Sequence, residues 1–91
     1  MKLHLIQRSP FSNSALKDCL NTIGENDSVL LMQDGIYTLN HPLLVDIKNP
    51  IYSLAQDSCA RGLSTPASTK AIEYDEFVTL CSQHKHVLSW Y

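Results

Sequence analysis

Three observations predict a small α/β fold assembled from βαβ units. Strand-like runs and helical stripes alternate along 91 residues. One nearly continuous apolar run, Val29-Leu30-Leu31-Met32, reads as a strand buried on both faces, as in a parallel sheet covered by helices. No internal repeat, low-complexity tract or linker interrupts the alternation, so right-handed crossovers can join the strands in one sheet. A chain of this length supports one domain, 1–91, that buries only about 60 to 65% of its unfolded surface. Association with other subunits would relieve that thin margin.

Residues 2–7 form the first strand, and Arg8-Ser9-Pro10-Phe11-Ser12-Asn13 breaks it with proline and capping residues. The period then changes: Leu16, Cys19, Leu20 and Ile23 stand at i, i+3, i+4 and i+7, an amphipathic stripe capped by Ser12 or Ser14 and stopped by Gly24. Residues 28–32 are the second strand. The pattern weakens between 36 and 49, where Pro42 opens a short helix through Leu43, Leu44 and Ile47. A third strand covers 51–55, and Asp57 caps a short helical turn that ends at Gly62. After a polar loop, 64–70, come a fourth strand at 71–74 and a helix capped by Asp75, with Phe77, Val78, Leu80 and Cys81 on its apolar face. Residues 87–91 close the chain as a fifth strand.

Composition narrows the function. The net charge is −2, and the seven basic residues are spread along the chain rather than clustered as a phosphate backbone requires, so no direct contact with nucleic acid is expected. No run approaches membrane length, and the apolar start, Leu3-His4-Leu5-Ile6, is too short and polar for a signal peptide. Three cysteines without close pairing fit a reducing compartment, so a cytoplasmic protein is expected, with no membrane partner.

The sharp polar turn Gln33-Asp34-Gly35-Ile36-Tyr37 follows the buried strand directly, at the carboxyl end where sites collect in open α/β sheets. Two readings stand for it. Asp-Gly is turn chemistry, the aspartate bonding to its own backbone and the glycine taking a positive φ; alternatively Asp34 and Tyr37 join the Ser9-Pro10 loop in a working surface. Among the thiols, Cys19 shares the stripe of Leu16, Leu20 and Ile23 and reads as a core residue. Cys59 reads as a half-buried structural thiol and Cys81 as core. Cys81, His84 and His86 have the spacing of metal ligands, but no second cluster completes a tetrahedral set, so no metal is expected. His4 reads as a core histidine bonded to backbone, open also to partner contact. No glycine-rich phosphate loop, nucleophile elbow or spaced carboxylate pair is present, and no cofactor is expected. Trp90 and Tyr91 offer an aromatic anchor near an edge.

Several segments together resemble one family: His4 with Arg8-Ser9-Pro10-Phe11, then Leu30 through Tyr37, Ala60-Arg61-Gly62, Glu73-Tyr74 with Phe77, Val78 and Leu80, and Ser89-Trp90. Their order and spacing are similar to the TusB/DsrH family of sulfur-relay subunits. That resemblance implies a three-layer α/β/α fold around a mainly parallel five-stranded sheet. It further implies a heterohexamer with TusC-like and TusD-like subunits, taking sulfur from a TusA-like carrier and passing it to a TusE-like one for 2-thiolation of the tRNA wobble uridine. The principal persulfide cysteine would belong to the TusD-like partner. Members of the DsrH type carry a cysteine in the first helix, and the segment Asn13 to Leu20 resembles theirs, which makes Cys19 a candidate secondary sulfur acceptor. Glu73 departs mildly from the family's aspartate.

The chain is therefore expected not to be an enzyme by itself but to complete a sulfurtransferase complex, and Arg8, Asp34, Tyr37 and Trp90 are candidate contacts to partner subunits. Two alternatives remain: a sulfur-accepting subunit of a DsrEFH-type complex in dissimilatory sulfur oxidation, and a stand-alone α/β binding protein using the Asp34 rim for a metabolite.

Overall fold

The computed structural model describes residues 2–90; Met1 and Tyr91 lie outside the described residues. Five parallel strands form one sheet in the order β4-β3-β2-β1-β5, with β1 at Lys2–Ile6, β2 at Ser28–Leu31, β3 at Ile51–Leu54, β4 at Thr69–Ile72 and β5 at His86–Trp90. The chain steps outward from β1 to β4, then crosses the whole sheet to return as β5 beside β1. Helices α1 (Ala15–Thr22), α2 (Ala55–Ala60) and α3 (Tyr74–Gln83) lie between strands, with two 3-10 helices, Gln33–Asn40 and Pro42–Asp46, in the β2–β3 connection.

Pleating divides the core in two. Ile6, Val29, Leu31 and Ile51 pack on one face with Leu16 and Cys19 of α1 and with Ile36 and Leu39 of the first 3-10 helix. Leu3, Leu5, Leu30, Leu54 and Ile72 pack on the other, beneath Phe77, Leu80 and Cys81 of α3. All four residues of β2 are buried, as its unbroken apolar run predicts for a strand covered on both sides.

Several boundaries differ from expectation for local reasons. Ser14 occupies the α1 cap position, but the capping bond comes from Asn13, whose Oδ1 accepts from the Ala15 N–H at 2.7 Å; the Ser14 hydroxyl turns to Asp18 instead. Helix α2 begins two residues before Asp57, which sits in its first turn with its carboxylate directed elsewhere. Its end is as predicted: Gly62 at φ +65 closes the helix, with Gly62 N–H donating to Cys59 O at 3.1 Å and Leu63 N–H to Ser58 O at 2.9 Å. Strand β4 lies two residues earlier than predicted, because Glu73 and Glu76 form a reciprocal capping box that starts α3 at Tyr74 and displaces Asp75 from the cap. The eight-residue 3-10 helix at 33–40 was not legible as a helix in the sequence, and it buries Ile36, Thr38 and Leu39.

Candidate functional site

The polar turn after β2 is shaped by two close approaches. The carbonyl of Ile6 would lie 1.8 Å from a Cβ at position 35, so Gly35 is required by the neighbouring strand rather than by its own φ. The positive φ falls two positions earlier, at Gln33 (φ 52), whose N–H donates to Asp57 Oδ2 at 2.7 Å. That bond holds a left-handed non-glycine residue in place. Both points correct the turn reading, in which Gly35 took the positive φ and Asp34 bonded its own backbone.

Asp34 instead accepts from Arg61 Nη2 at 3.0 Å. The same guanidinium lies 3.9 Å from Asp57 Oδ1, donates to the Asp57 carbonyl at 3.3 Å and stands 6.0 Å from the centre of the Tyr37 ring. Arg61 thereby ties the first 3-10 helix to α2 across the carboxyl rim of the sheet. Arg61 is the group that Asp34 and Tyr37 share. Arg8 is exposed on the loop after β1, and among the described residues it enters neither an ion pair nor this network.

Trp90 belongs to a second network. Its indole N–H donates to His4 Nδ1 at 3.0 Å, and the opposite nitrogen of that ring, Nε2, is 2.8 Å from Asp27 Oδ2. Because an indole nitrogen can only donate, Nδ1 must be bare and Nε2 must carry the proton that Asp27 accepts. His4 is thus a core histidine as expected, but bonded to side chains rather than to backbone. Asp27 also accepts from Lys2 N–H at 3.0 Å and Gly24 N–H at 2.9 Å. Burial works against its ionisation, yet the bonds from His4, Gly24 and Lys2 outweigh that penalty and lower its pKa to about 2.

The three thiols differ sharply. Cys19 is fully buried, and burial, reinforced by the nearby negative Asp27, pushes it up to about 12. As the neutral thiol it packs like a small apolar side chain. Cys81, on α3, is half-buried, and burial raises its pKa as well. Cys59 is exposed on α2, correcting the half-buried reading; the helix is short and turns that side away from the core. His84 spends both ring nitrogens within the fold, donating from Nδ1 to Leu80 O at 2.7 Å and facing the Ser28 hydroxyl with Nε2 at 3.4 Å, while His86 is exposed on β5.

Residues 8–87 match the family described as DsrH like protein. The chain belongs to the DsrH-like family. This DsrH-like chain is also similar to curated proteins named Protein TusB. The one from Pectobacterium carotovorum subsp. carotovorum (strain PC1) is 34% identical over 97% of this chain and 99% of the relative. That from Buchnera aphidicola subsp. Baizongia pistaciae (strain Bp) is 31% identical over the same shares. Among solved structures, the ychN protein from E. coli superposes with a TM-score of 0.76 at 14% identity over 98% of both chains. Protein Tm0979 from Thermotoga maritima gives 0.72 at 24% identity over 91% of this chain and 93% of its own. At those identities the two structures speak for the α/β fold alone. No helix among the described residues is long and apolar enough to cross a membrane.

Arg61 is the functional candidate that residue-by-residue reading passed over. Ala60-Arg61-Gly62 carries part of the family resemblance, but nothing local tells that the guanidinium reaches Asp34, which is 27 positions away.

Proposed function

We propose that this chain is a docking subunit of a TusBCD-type sulfur relay in the cytoplasm, completing a heterohexamer with TusC-like and TusD-like partners. Through that assembly, persulfide sulfur passes from a TusA-like to a TusE-like carrier for 2-thiolation of the tRNA wobble uridine. The observation that carries the reading is near end-to-end similarity to TusB proteins. The state of Cys19 fits it: persulfide transfer needs a thiolate that attacks the outer sulfur of a donor persulfide and releases the donor's thiolate. A buried thiol at about 12 supplies almost none at neutral pH. Arg8, Asp34, Tyr37 and Trp90 are the proposed contacts, the middle two braced by Arg61 and the last by His4.

A second reading, in which Cys19 accepts sulfur as in a DsrEFH-type complex, is favoured by the position of that cysteine in α1. It requires α1 to lift from the sheet before a donor can reach the sulfur. Co-expression with TusC-like and TusD-like subunits, followed by size measurement and mass spectrometry after exposure to a persulfidated carrier, separates the two. The docking reading expects one large complex with no added sulfur on Cys19. Added sulfur there supports the second reading. A chain that stays apart from both partners removes the docking role and leaves a stand-alone binding protein.

A further inference from the structure

We propose that His4 and Trp90 form a proton-sensitive latch, in which neutral His4 holds the indole in place for a partner subunit and protonated His4 lets it go. This rests on the reading of Trp90 as a partner contact and adds how that contact is regulated. The direction of the bonds carries it. An indole nitrogen only donates, so the 3.0 Å bond from Trp90 Nε1 to His4 Nδ1 exists only while Nδ1 is bare. The other nitrogen, Nε2, already carries the ring's proton toward Asp27 Oδ2 at 2.8 Å. A second proton therefore has one place to go. On Nδ1 it sets one N–H against another across 3.0 Å, and a bond is replaced by a contact between two donors. Turning the ring over does not restore the bond, because both nitrogens of the charged ring donate.

The groups around the ring decide which of its two bonds gives way. Asp27, in the turn before β2, stays ionised down to about pH 2, so its bond to Nε2 becomes an ion pair when His4 is charged and is kept. Helix α1 turns Cys19 toward this face, and that thiol is neutral because burial pushes its pKa up to about 12. Strand β2 presents Val29 and strand β5 presents Leu88, neither of which titrates. Lys2 and His86 lie on the same face of β1 and β5, one pleat toward the amino-terminal rim, and Glu25 lies in the turn; all three are exposed, where water and salt screen them. Among the described residues, the one charged side chain paired with the ring is negative. The bond to Trp90 is therefore the one lost.

Trp90 is placed to feel that loss. It ends β5, in register with Ile6, while its ring lies back over His4 with the ring centroids 6.1 Å apart. The indole is half-buried against the cluster that holds Ile6, Val29 and Leu16. Its bond to His4 is the one side-chain hydrogen bond that β5 makes among the described residues. Without it the ring regains rotamer freedom at the end of an edge strand. A side chain fixed beforehand gives up less freedom on binding than a loose one, so protonation of His4 weakens docking through Trp90. Linkage makes the effect reciprocal: a bound partner that needs the indole in place holds His4 neutral, and docking in acid releases a proton.

Trp90 is the chain's one tryptophan, so its indole N–H gives a single resonance. In the isolated chain, that resonance and the His4 ring nitrogens are followed by NMR from about pH 8 to about pH 4, a range in which histidines change charge. As Nδ1 gains its proton, the indole N–H is expected to exchange with water about tenfold faster. His4→Gln keeps a donor and an acceptor but does not titrate, and should abolish the change although His86 remains. An indole that stays protected while Nδ1 is protonated, or an Nδ1 that stays bare at the acid end in the folded chain, would overturn the latch; this reading needs no substitution. The link to docking is measured with the co-purified TusC-like and TusD-like subunits. Relative to His4→Gln, the native chain should bind about fivefold more weakly at about pH 5 than at about pH 8. An equal ratio at both would overturn the regulatory role. Absence of binding by either chain at either pH removes the docking reading instead, and the indole measurement still decides the latch.

Discussion

Asp27 and Asp34 anchor two networks made of the same kinds of group in opposite surroundings. At the amino-terminal rim, Asp27 is 7% exposed and gathers two backbone N–H groups and His4, through which Trp90 is held. Asn49 braces the same corner, its Nδ2 donating to the carbonyls of Gly24 and Asp27. At the carboxyl rim, the Asp34 side chain is 61% exposed and leans on one guanidinium. Among the described residues no lysine or arginine side chain pairs with the buried aspartate; its charge is offset by the oriented N–H groups of His4, Gly24 and Lys2. The exposed one can exchange Arg61 for water or for a partner at little cost. Burial, more than bond type, separates a structural network from one free to work.

Removing Asp27 should sharpen that contrast most. Asp27→Ala strips a bond from β1, one from the turn at Gly24 and one from His4, leaving buried donors unpaired. We expect a loss of about 3 kcal/mol in urea unfolding. A loss below about 1 kcal/mol would mean that the corner is held by packing alone.

Acid offers a second way to break the same region. The Asp27 carboxyl titrates at about 2 in the fold against 3.8 without the structure. A depressed folded value contributes stability that is complete above the unfolded pKa and drains away as pH falls through the folded one. Unfolding free energy should therefore decline between pH 3.8 and about 2. Asp27→Asn should flatten this part of the profile, and an unchanged slope would assign it to other carboxylates.

The same contrast explains which parts of the molecule could be read in the sequence. Strand β2 and the α1 stripe were legible because four consecutive apolar residues, or an i, i+3, i+4, i+7 set, specify burial locally. Gly62 was legible as a helix stop because its φ is a property of one residue. Gly35 was misread because its need for no side chain comes from the Ile6 carbonyl, on another strand. His4 and Trp90 are 86 positions apart, and no spacing rule joins them. The candidate rim was found through its turn residues, while Arg61, which ties it together, depends on how α2 packs.

Trp90→Phe probes the far end of the buried network with a smaller expected effect. The aromatic volume is largely kept, but His4 Nδ1 loses its donor in a site that is 1% exposed. We expect about 2 kcal/mol less stability. His4→Phe in the same background should add less than it does alone, since the two residues share one bond. Full additivity would show that the indole bond carries no weight.

Asp34→Ala should have the smallest effect on folding and the more telling effect on binding. Arg61 keeps its bond to the Asp57 carbonyl when Asp34 is removed, and an exposed ion pair contributes at most about 0.5 kcal/mol. If the carboxyl rim meets a partner subunit, losing a charged contact there should weaken that association about tenfold while thermal unfolding stays nearly unchanged. Titration against the co-purified TusC-like and TusD-like subunits measures the first, and calorimetry of the isolated chain the second. A variant that binds normally would take the rim out of the interface, and one that unfolds readily would show that the exposed network bears structural weight, as the buried one does.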